Sequence, residues 1–147
     1  MSKYALDANL YVRAFRSKEF SAEVASFYEA FAPGCYLSSV VLHELVVGGQ
    51  SQAKIRAVRE KIARPFQRTG RVFTPSHGAW DAGAEGLALL AIRGKLDRRS
   101  VTRSFVHDAL IAASCREAGI TLVTENTGDF ELLQTVLDFR FVEPWPR

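Results

Sequence analysis

The stretch Lys3-Tyr4-Ala5-Leu6-Asp7-Ala8-Asn9 decides how the rest of the chain is read. Tyr4, Ala5 and Leu6 form a near-continuous apolar run, the pattern of a strand buried on both faces. Asp7 stands where that run stops, and Asn9 follows two residues later. In open α/β sheets, ligands bind beyond the carboxyl ends of the strands. A carboxylate at the end of a first, central strand therefore occupies a ligand position. Asp is also a favoured N-cap, so Asp7 reads equally well as the cap of a helix beginning near Ala8. The choice turns on whether other acids reach the same point.

Outward from that strand, helical and extended patterns alternate. A helix runs from Ala8 to about Phe15. Ser21 opens a second, with Val24, Phe27, Tyr28 and Phe31 at helical spacing, and Pro33-Gly34 ends it. Cys35-Tyr36-Leu37 is a short strand. Ser38 and Ser39 offer caps for a helix over Val40 to Val47, stopped by Gly48-Gly49. Residues 51–67 form a basic helix with apolar Ile55, Val58 and Ile62, which Pro65 ends or bends. Val72-Phe73-Thr74 is a third strand. A long apolar helix follows Pro75-Ser76 through Trp80, Ala84, Leu87 and Ala91. Residues 93–103 read as an exposed basic loop, and Phe105 to about Ala118 as a helix closed by Gly119. Ile120 to Thr124 is a β-branched strand, 128–136 a short helix and Phe139 to Val142 a last strand. Alternating strands and helices predict an α/β fold, a three-layer α/β/α sandwich with a mainly parallel central sheet.

Composition bounds the function. The 147 residues are 48% hydrophobic and 24% charged, as in an ordinary globular domain, and predict a single domain over 1–147. No apolar run is long enough to cross a bilayer, and Asp7 interrupts the only stretch that could serve as a signal-peptide core. A cytoplasmic protein that does not enter membranes is expected. Cys35 and Cys115 fit no metal or redox spacing and read as buried hydrophobes. The net charge of +3 permits a polyanionic partner. Cations crowd two segments, Lys54 to Arg71 and Arg93 to Arg103, either as solvated faces or as a path for a nucleic-acid backbone.

Three further acids lie where Asp7 could meet them. Glu44 is spaced three or four residues from Val40, Val41, Val47 and Gly48, on or beside an apolar stripe. Asp108 replaces an apolar residue in the line Phe105, Ile111, Ala112 and Cys115. Asp129 follows the Ile120–Thr124 strand, at the same sheet edge as Asp7. Each has a plainer structural role open to it: Glu44 paired with a nearby cation, Asp108 complementing a helix dipole, Asp129 capping a short helix. Together, like charges at one edge repel unless a cation shares them, and carboxylate oxygens suit Mg²⁺ or Mn²⁺. Asn126 and Thr124 could bond the carboxylates. His43-Glu44 does not extend into the helical zinc-protease motif, because Val47 stands where the second His would be. His107 reads as a surface residue beside Asp108. Neither a glycine-rich phosphate loop nor a nucleophile elbow is present.

On Leu6-Asp7-Ala8-Asn9, Ser38 to Leu45, Asp108 to Ala113 and Leu122 to Phe130, taken in that order, the chain resembles the PIN-domain nucleases and, among them, the VapC-like toxins of toxin–antitoxin pairs. The resemblance runs from end to end. It implies a metal-dependent endoribonuclease acting on single-stranded RNA, a homodimer and a cognate antitoxin protein. Carried over position by position, it makes Asp7, Glu44, Asp108 and Asp129 the catalytic and metal-binding quartet, with Asn9, Thr124 and Asn126 as supporting polar residues. Glu125 is one acid more than such a site needs and is expected to point away.

With no side chain an obvious general base, activation of water would fall to Mg²⁺ or Mn²⁺, in an in-line displacement at phosphate. Arg56, Arg59, Arg98, Arg99 and Arg103 are candidates for tracking the RNA backbone, and a tRNA or ribosomal RNA loop is the substrate the resemblance suggests. The His77 to Leu90 helix, rich in small residues, could form either core or a subunit interface. Three rivals remain: a solitary RNA-processing nuclease of the same family, a receiver-type phosphoryl-transfer domain and a non-catalytic RNA-binding module. Asn9, where a receiver site would carry a second acid, counts against the receiver.

Overall fold

A computed structural model describes residues 1–147. Five strands form one sheet: β1 (Tyr4–Leu6), β2 (Cys35–Ser38), β3 (Val72–Phe73), β4 (Thr121–Val123) and β5 (Arg140–Val142). Their spatial order is β3-β2-β1-β4-β5, and every pairing is parallel. β1 is central. Tyr4 lies opposite Cys35 on one side and Thr121 on the other, and Leu6 lies opposite Val123. Burial on both faces explains the apolar runs: Leu6, Leu37, Leu122 and Val123 are almost wholly excluded from water.

Helices α1 (Ala8–Arg16) and α2 (Lys18–Phe31) join β1 to β2. The β2–β3 connection holds α3 (Ser39–Val47), α4 (Gln52–Ala57), a π-helical segment (Val58–Ala63) and α5 (Arg64–Arg68). Then α6 (His77–Ile92) and α7 (Arg103–Ala118) lead to β4, and α8 (Thr127–Gln134) leads to β5. Parallel crossovers are right-handed. The first two step outward from β1 one way and the last two step the other way, so α1–α5 cover one face and α6–α8 the opposite one. Contacts agree: α1 packs on α2, α6 on α7, and α7 on α8. The result is the α/β/α sandwich that the alternating pattern predicts. No helix is long and apolar enough to cross a membrane. Cys35 and Cys115 are free and buried.

Several boundaries differ from the sequence reading. The second helix starts not at Ser21 but at Lys18, and Ser17 is its N-cap, its Oγ accepting from the Phe20 N–H at 3.1 Å. Ser17 also closes α1, its N–H donating to the Arg13 carbonyl at 3.0 Å. Lys18 and Glu19 follow it and conceal the start, because they carry no apolar periodicity. Pro65 does not end the basic helix. The turns before it widen, with the Arg64 N–H donating to the carbonyl of Arg59 five residues back, and the helix runs on to Arg68. α7 starts at Arg103 on a Thr102 cap, which removes Arg103 from the loop. β3, β4 and β5 are each shorter than expected, and α8 covers Thr127–Gln134 rather than 128–136. Gly119 closes α7 with φ 68°, a left-handed conformation that glycine adopts without steric penalty.

The cap assignment is open to measurement. Ser17→Ala is expected to lower unfolding free energy in urea by about 1 kcal/mol, and Ser21→Ala by less than about 0.5 kcal/mol. A larger loss for Ser21→Ala than for Ser17→Ala would place the start of α2 at Ser21 instead.

Candidate functional site

Strand order reverses between β1 and β4, because their crossovers leave in opposite directions. A crevice at the carboxyl end of such a pair is the usual ligand position of an open α/β sheet. Asp7 sits there, 5% exposed. Its N–H donates to the Val123 carbonyl at 2.9 Å, which extends the β1–β4 ladder by one bond. One carboxylate oxygen, Oδ1, accepts from the Ala8 N–H at 2.8 Å, so Asp7 does cap α1. The other, Oδ2, accepts from the Thr124 hydroxyl at 2.7 Å. Thr124 is itself fully buried at the end of β4, and its oxygen accepts from the Asn126 N–H at 3.0 Å and the Asn9 side-chain amide at 3.3 Å.

Three other elements bring acids to this point. Asp108 projects from α7, 4% exposed, in a helix whose neighbouring positions Ile111, Ala112 and Cys115 are buried. The Asn126 amide reaches Asp108 Oδ2 at 3.4 Å and Asp129 Oδ2, in the first turn of α8, at 3.1 Å, and the two carboxylates also touch each other. Glu44 comes from α3, whose start is fixed by the buried Ser38 hydroxyl accepting from the N–H groups of Val40 and Val41. Glu44 Oε1 lies 3.5 Å from His107 Nδ1, too long for a good hydrogen bond. That buried oxygen and Asn9 Oδ1 have no hydrogen-bond partner.

Electrostatic strain follows. Burial pushes the Asp7 carboxyl above its usual range, against hydrogen bonds from Thr124 and Ala8. Asp108 is pushed up to about 8, first by burial and then by the charges of Asp7, Glu44 and Asp129. Glu44 is pushed up to about 7 by burial and by Asp7. No Lys or Arg pairs with any of the four; the only Arg–carboxylate pair is Arg13 with Glu125 at 2.8 Å, on the exposed side of the β4–α8 loop. Two buried acceptors without donors, inside a set of uncompensated carboxylates, fit a hard divalent cation in donor chemistry. The side chains as they stand do not close a cage of three ligands.

The remaining candidates scatter. Arg56 and Arg59 are exposed and line a shallow depression with Glu60 and Arg64, away from the carboxylates. Arg98 and Arg99 are exposed on the α6–α7 loop. Burial lowers the pKa of His107, helped by His43 and then by Arg103, which lies one turn before it on α7. His107 is not a surface residue. It is half-buried and meets the ring of His43 edge-on at 5.5 Å. Arg13 escaped the sequence reading, since nothing local connects it to Glu125, 112 positions away.

A family model described as PIN domain matches residues 4–134. The chain belongs to the PIN domain family. Similar solved structures share this fold at low sequence identity. A chain of the DNA-bound VapBC from Salmonella typhimurium is 21% identical with a TM-score of 0.72, over 97% of this chain and 98% of that one. FitAcB from Neisseria gonorrhoeae gives 20% identity and 0.69 over 98% and 99%. A toxin-antitoxin complex from Klebsiella pneumoniae gives 21% and 0.63 over 99% and 100%. No curated protein sequence matches the chain.

In this PIN domain, folded-state pKa values above the ordinary carboxylate range mean that the native state holds protons the unfolded chain has released, between about pH 4 and pH 8. Stability of the metal-free protein should therefore fall as pH rises through that window. Thermal unfolding in EDTA is expected to give a lower Tm at pH 8 than at pH 5. Added Mg²⁺ or Mn²⁺ should raise Tm more at pH 8, the gain in unfolding free energy being about 2.7 kcal/mol when metal is about a hundred times its Kd. Asp108→Asn should flatten both dependences. A Tm indifferent to pH and metal would show that the carboxylates do not act on one another.

Proposed function

We propose that this PIN domain is a divalent-metal-dependent endoribonuclease and the toxin member of a toxin–antitoxin pair. The observation that carries the nuclease reading is the cluster itself. Carboxylates from the end of β1, from α3 and from α8 lie near enough to Asp108 on α7 to raise its pKa, with no cationic side chain paired to any of the four. Asp7, Asp108, Glu44 and Asp129 would hold the metal, with Mg²⁺ or Mn²⁺ the hard cations that suit oxygen donors. The chemistry supplied by the bound ion is Lewis-acid stabilisation of charge on the phosphate and acidification of the attacking water.

The chain's own residues supply position. Thr124 fixes Asp7 Oδ2 and leaves that oxygen one further lone pair. Asn126 donates to both Asp108 and Asp129, which lie in contact with each other, and Asn9 braces Thr124 from α1. These three neutral groups orient acids without competing for charge, the role outer-shell partners play around metal ligands. Arg13 draws Glu125 outward, so a fifth carboxylate does not enter the crevice. Folded RNAs are read mainly at unpaired loops, so a tRNA or ribosomal RNA loop is the substrate class proposed.

The toxin role is supported by fold likeness over nearly the full chain to members of VapBC and toxin-antitoxin complexes. An antitoxin encoded beside this chain would bind it and block cleavage, and the proposed enzyme is a homodimer.

The test is cleavage of mixed structured RNA. Wild type should cut with Mg²⁺ or Mn²⁺ and be silent in EDTA, Asp7→Asn should be inactive, and Asn126→Ala should lose about 10- to 100-fold. Cleavage that survives EDTA, or that Asp7→Asn matches, would remove the nuclease reading. Co-expression of the adjacent small gene should suppress the activity.

A further inference from the structure

Beyond β5 the chain turns back over α2. Val142, the last residue of β5, accepts from the Thr124 N–H at 3.0 Å, so the following segment leaves the sheet beside the residue that holds Asp7. Residues 143–145 then lay the Trp145 ring on α2. The indole stacks on Phe20 with centroids 5.5 Å apart and on Phe27 at 5.2 Å, and its Nε1–H donates to Glu23 Oε1 at 3.2 Å. Phe20, Glu23 and Phe27 recur at helical spacing along one face of α2.

The same Phe20 ring carries the Arg13 guanidinium, whose carbon lies 4.2 Å from the ring centroid. Arg13 in turn donates to Glu125 Oε2 at 2.8 Å, the one side-chain bond that Glu125 makes. Trp145, Phe20, Arg13 and Glu125 thus form a continuous column from the segment after β5 to the β4–α8 loop, and with Pro144 they line a depression of about 310 Å³. An isolated exposed ion pair holds its partners weakly. A planar guanidinium lying over a buried aromatic ring is set in advance and loses less freedom on bonding a carboxylate. Arg13 is also the only cation lining the depression, where Glu23 and Glu143 stand with Glu125. Without it, Glu125 faces two like charges.

We propose that Trp145 is a positioning residue for the carboxylate crevice. By stacking on Phe20 it fixes Arg13 over that ring, and through Arg13 it keeps Glu125 from becoming a fifth acid of the cluster. Glu125 is one peptide from Thr124 and one from Asn126, whose side chains touch Asp7, Asp108 and Asp129. It lies in the loop between β4 and α8, where no strand ladder fixes the direction of its side chain. Released beside a crevice that holds a divalent cation, its carboxylate is drawn toward that cation and adds to the ligand charge. It also adds negative charge where a phosphodiester must approach. The consequence for RNA rests on the nuclease reading, whereas the effect on metal affinity rests on the carboxylates alone.

The test is a double-mutant cycle read on metal affinity and on cleavage. Trp145→Ala, which leaves every charge in place, should bind Mn²⁺ about 3- to 10-fold more tightly than wild type in a calorimetric titration. Its kcat/KM on mixed structured RNA should fall by about 10-fold. Glu125→Gln alone should stay close to wild type in both measurements, and Trp145→Ala combined with Glu125→Gln should return to wild type. Trp145→Phe keeps the stack and should also resemble wild type. Trp145→Leu serves where the alanine variant unfolds, since it retains apolar cover without the stack. General loosening of the fold weakens Mn²⁺ binding and is not cancelled at Glu125, so tighter binding with rescue separates the two. Weaker Mn²⁺ binding by Trp145→Ala, or a change that is the same in the wild-type and Glu125→Gln backgrounds, would overturn the assignment. Coupling in Mn²⁺ affinity with no cleavage by wild type would sink the nuclease reading but keep the column. Metal-dependent cleavage by wild type with additive changes would do the reverse.

Discussion

The parallel pairing of β1 with β4 is the contact on which the rest depends. It sets Asp7 and Thr124, 117 positions apart in sequence, side by side at one sheet edge and lets the hydroxyl of one donate to the carboxylate of the other. The pairing also defines the switch point, since β2 and β5 flank these two strands on opposite sides. Crossovers that leave in opposite directions cannot cover the crevice between them, so it stays open above the strand ends. α3 and α7, one from each face of the sheet, pack against each other and bring Glu44 and Asp108 over that opening. A long-range pairing must therefore form before any of the proposed site exists, which makes the site among the later products of folding.

The cluster stands in tension with the fold that carries it. Asp7 and Asp108 are nearly inaccessible and repel one another, and burial raises the pKa of both. A buried carboxylate without a cation lowers stability, and two adjacent ones lower it further. The surrounding core offsets this. Leu10, Val41, Ile111 and Phe130 are fully buried in it, each large apolar side chain contributing about 1.5–3 kcal/mol. A sheet this apolar can hold an unfavourable charge arrangement at its edge without unfolding.

Much of this was readable from residue order. The run Tyr4-Ala5-Leu6 announced a doubly buried strand, and a strand of that kind places its terminal residue at a ligand edge. Asp108 announced itself by interrupting the line Phe105, Ile111, Ala112 and Cys115, since an acid in a core-facing row has no ordinary role. What periodicity could not reach were features decided by a single backbone bond or a distant partner. Ser17 ends one helix and starts the next, so neither helix leaves a gap of polar residues to mark the junction. The π-helical turn ahead of Pro65 depends on which carbonyl Arg64 selects, a choice that leaves no trace in hydrophobic spacing. His107 reads as polar surface on its own helix and becomes half-buried only because α3 brings His43 and Glu44 against it.

Charge placement, rather than net charge, connects the fold to its proposed chemistry. An excess of three positive charges over 147 residues says little by itself. The fold sorts these charges. Four acids are gathered in the crevice, and a fifth, Glu125, sits between Thr124 and Asn126 yet is turned outward to Arg13. Cations cluster along the α1 groove, while Arg56, Arg59 and Arg64 occupy a separate face beside Glu60. Basic residues equally dense in sequence thus differ in what they can do.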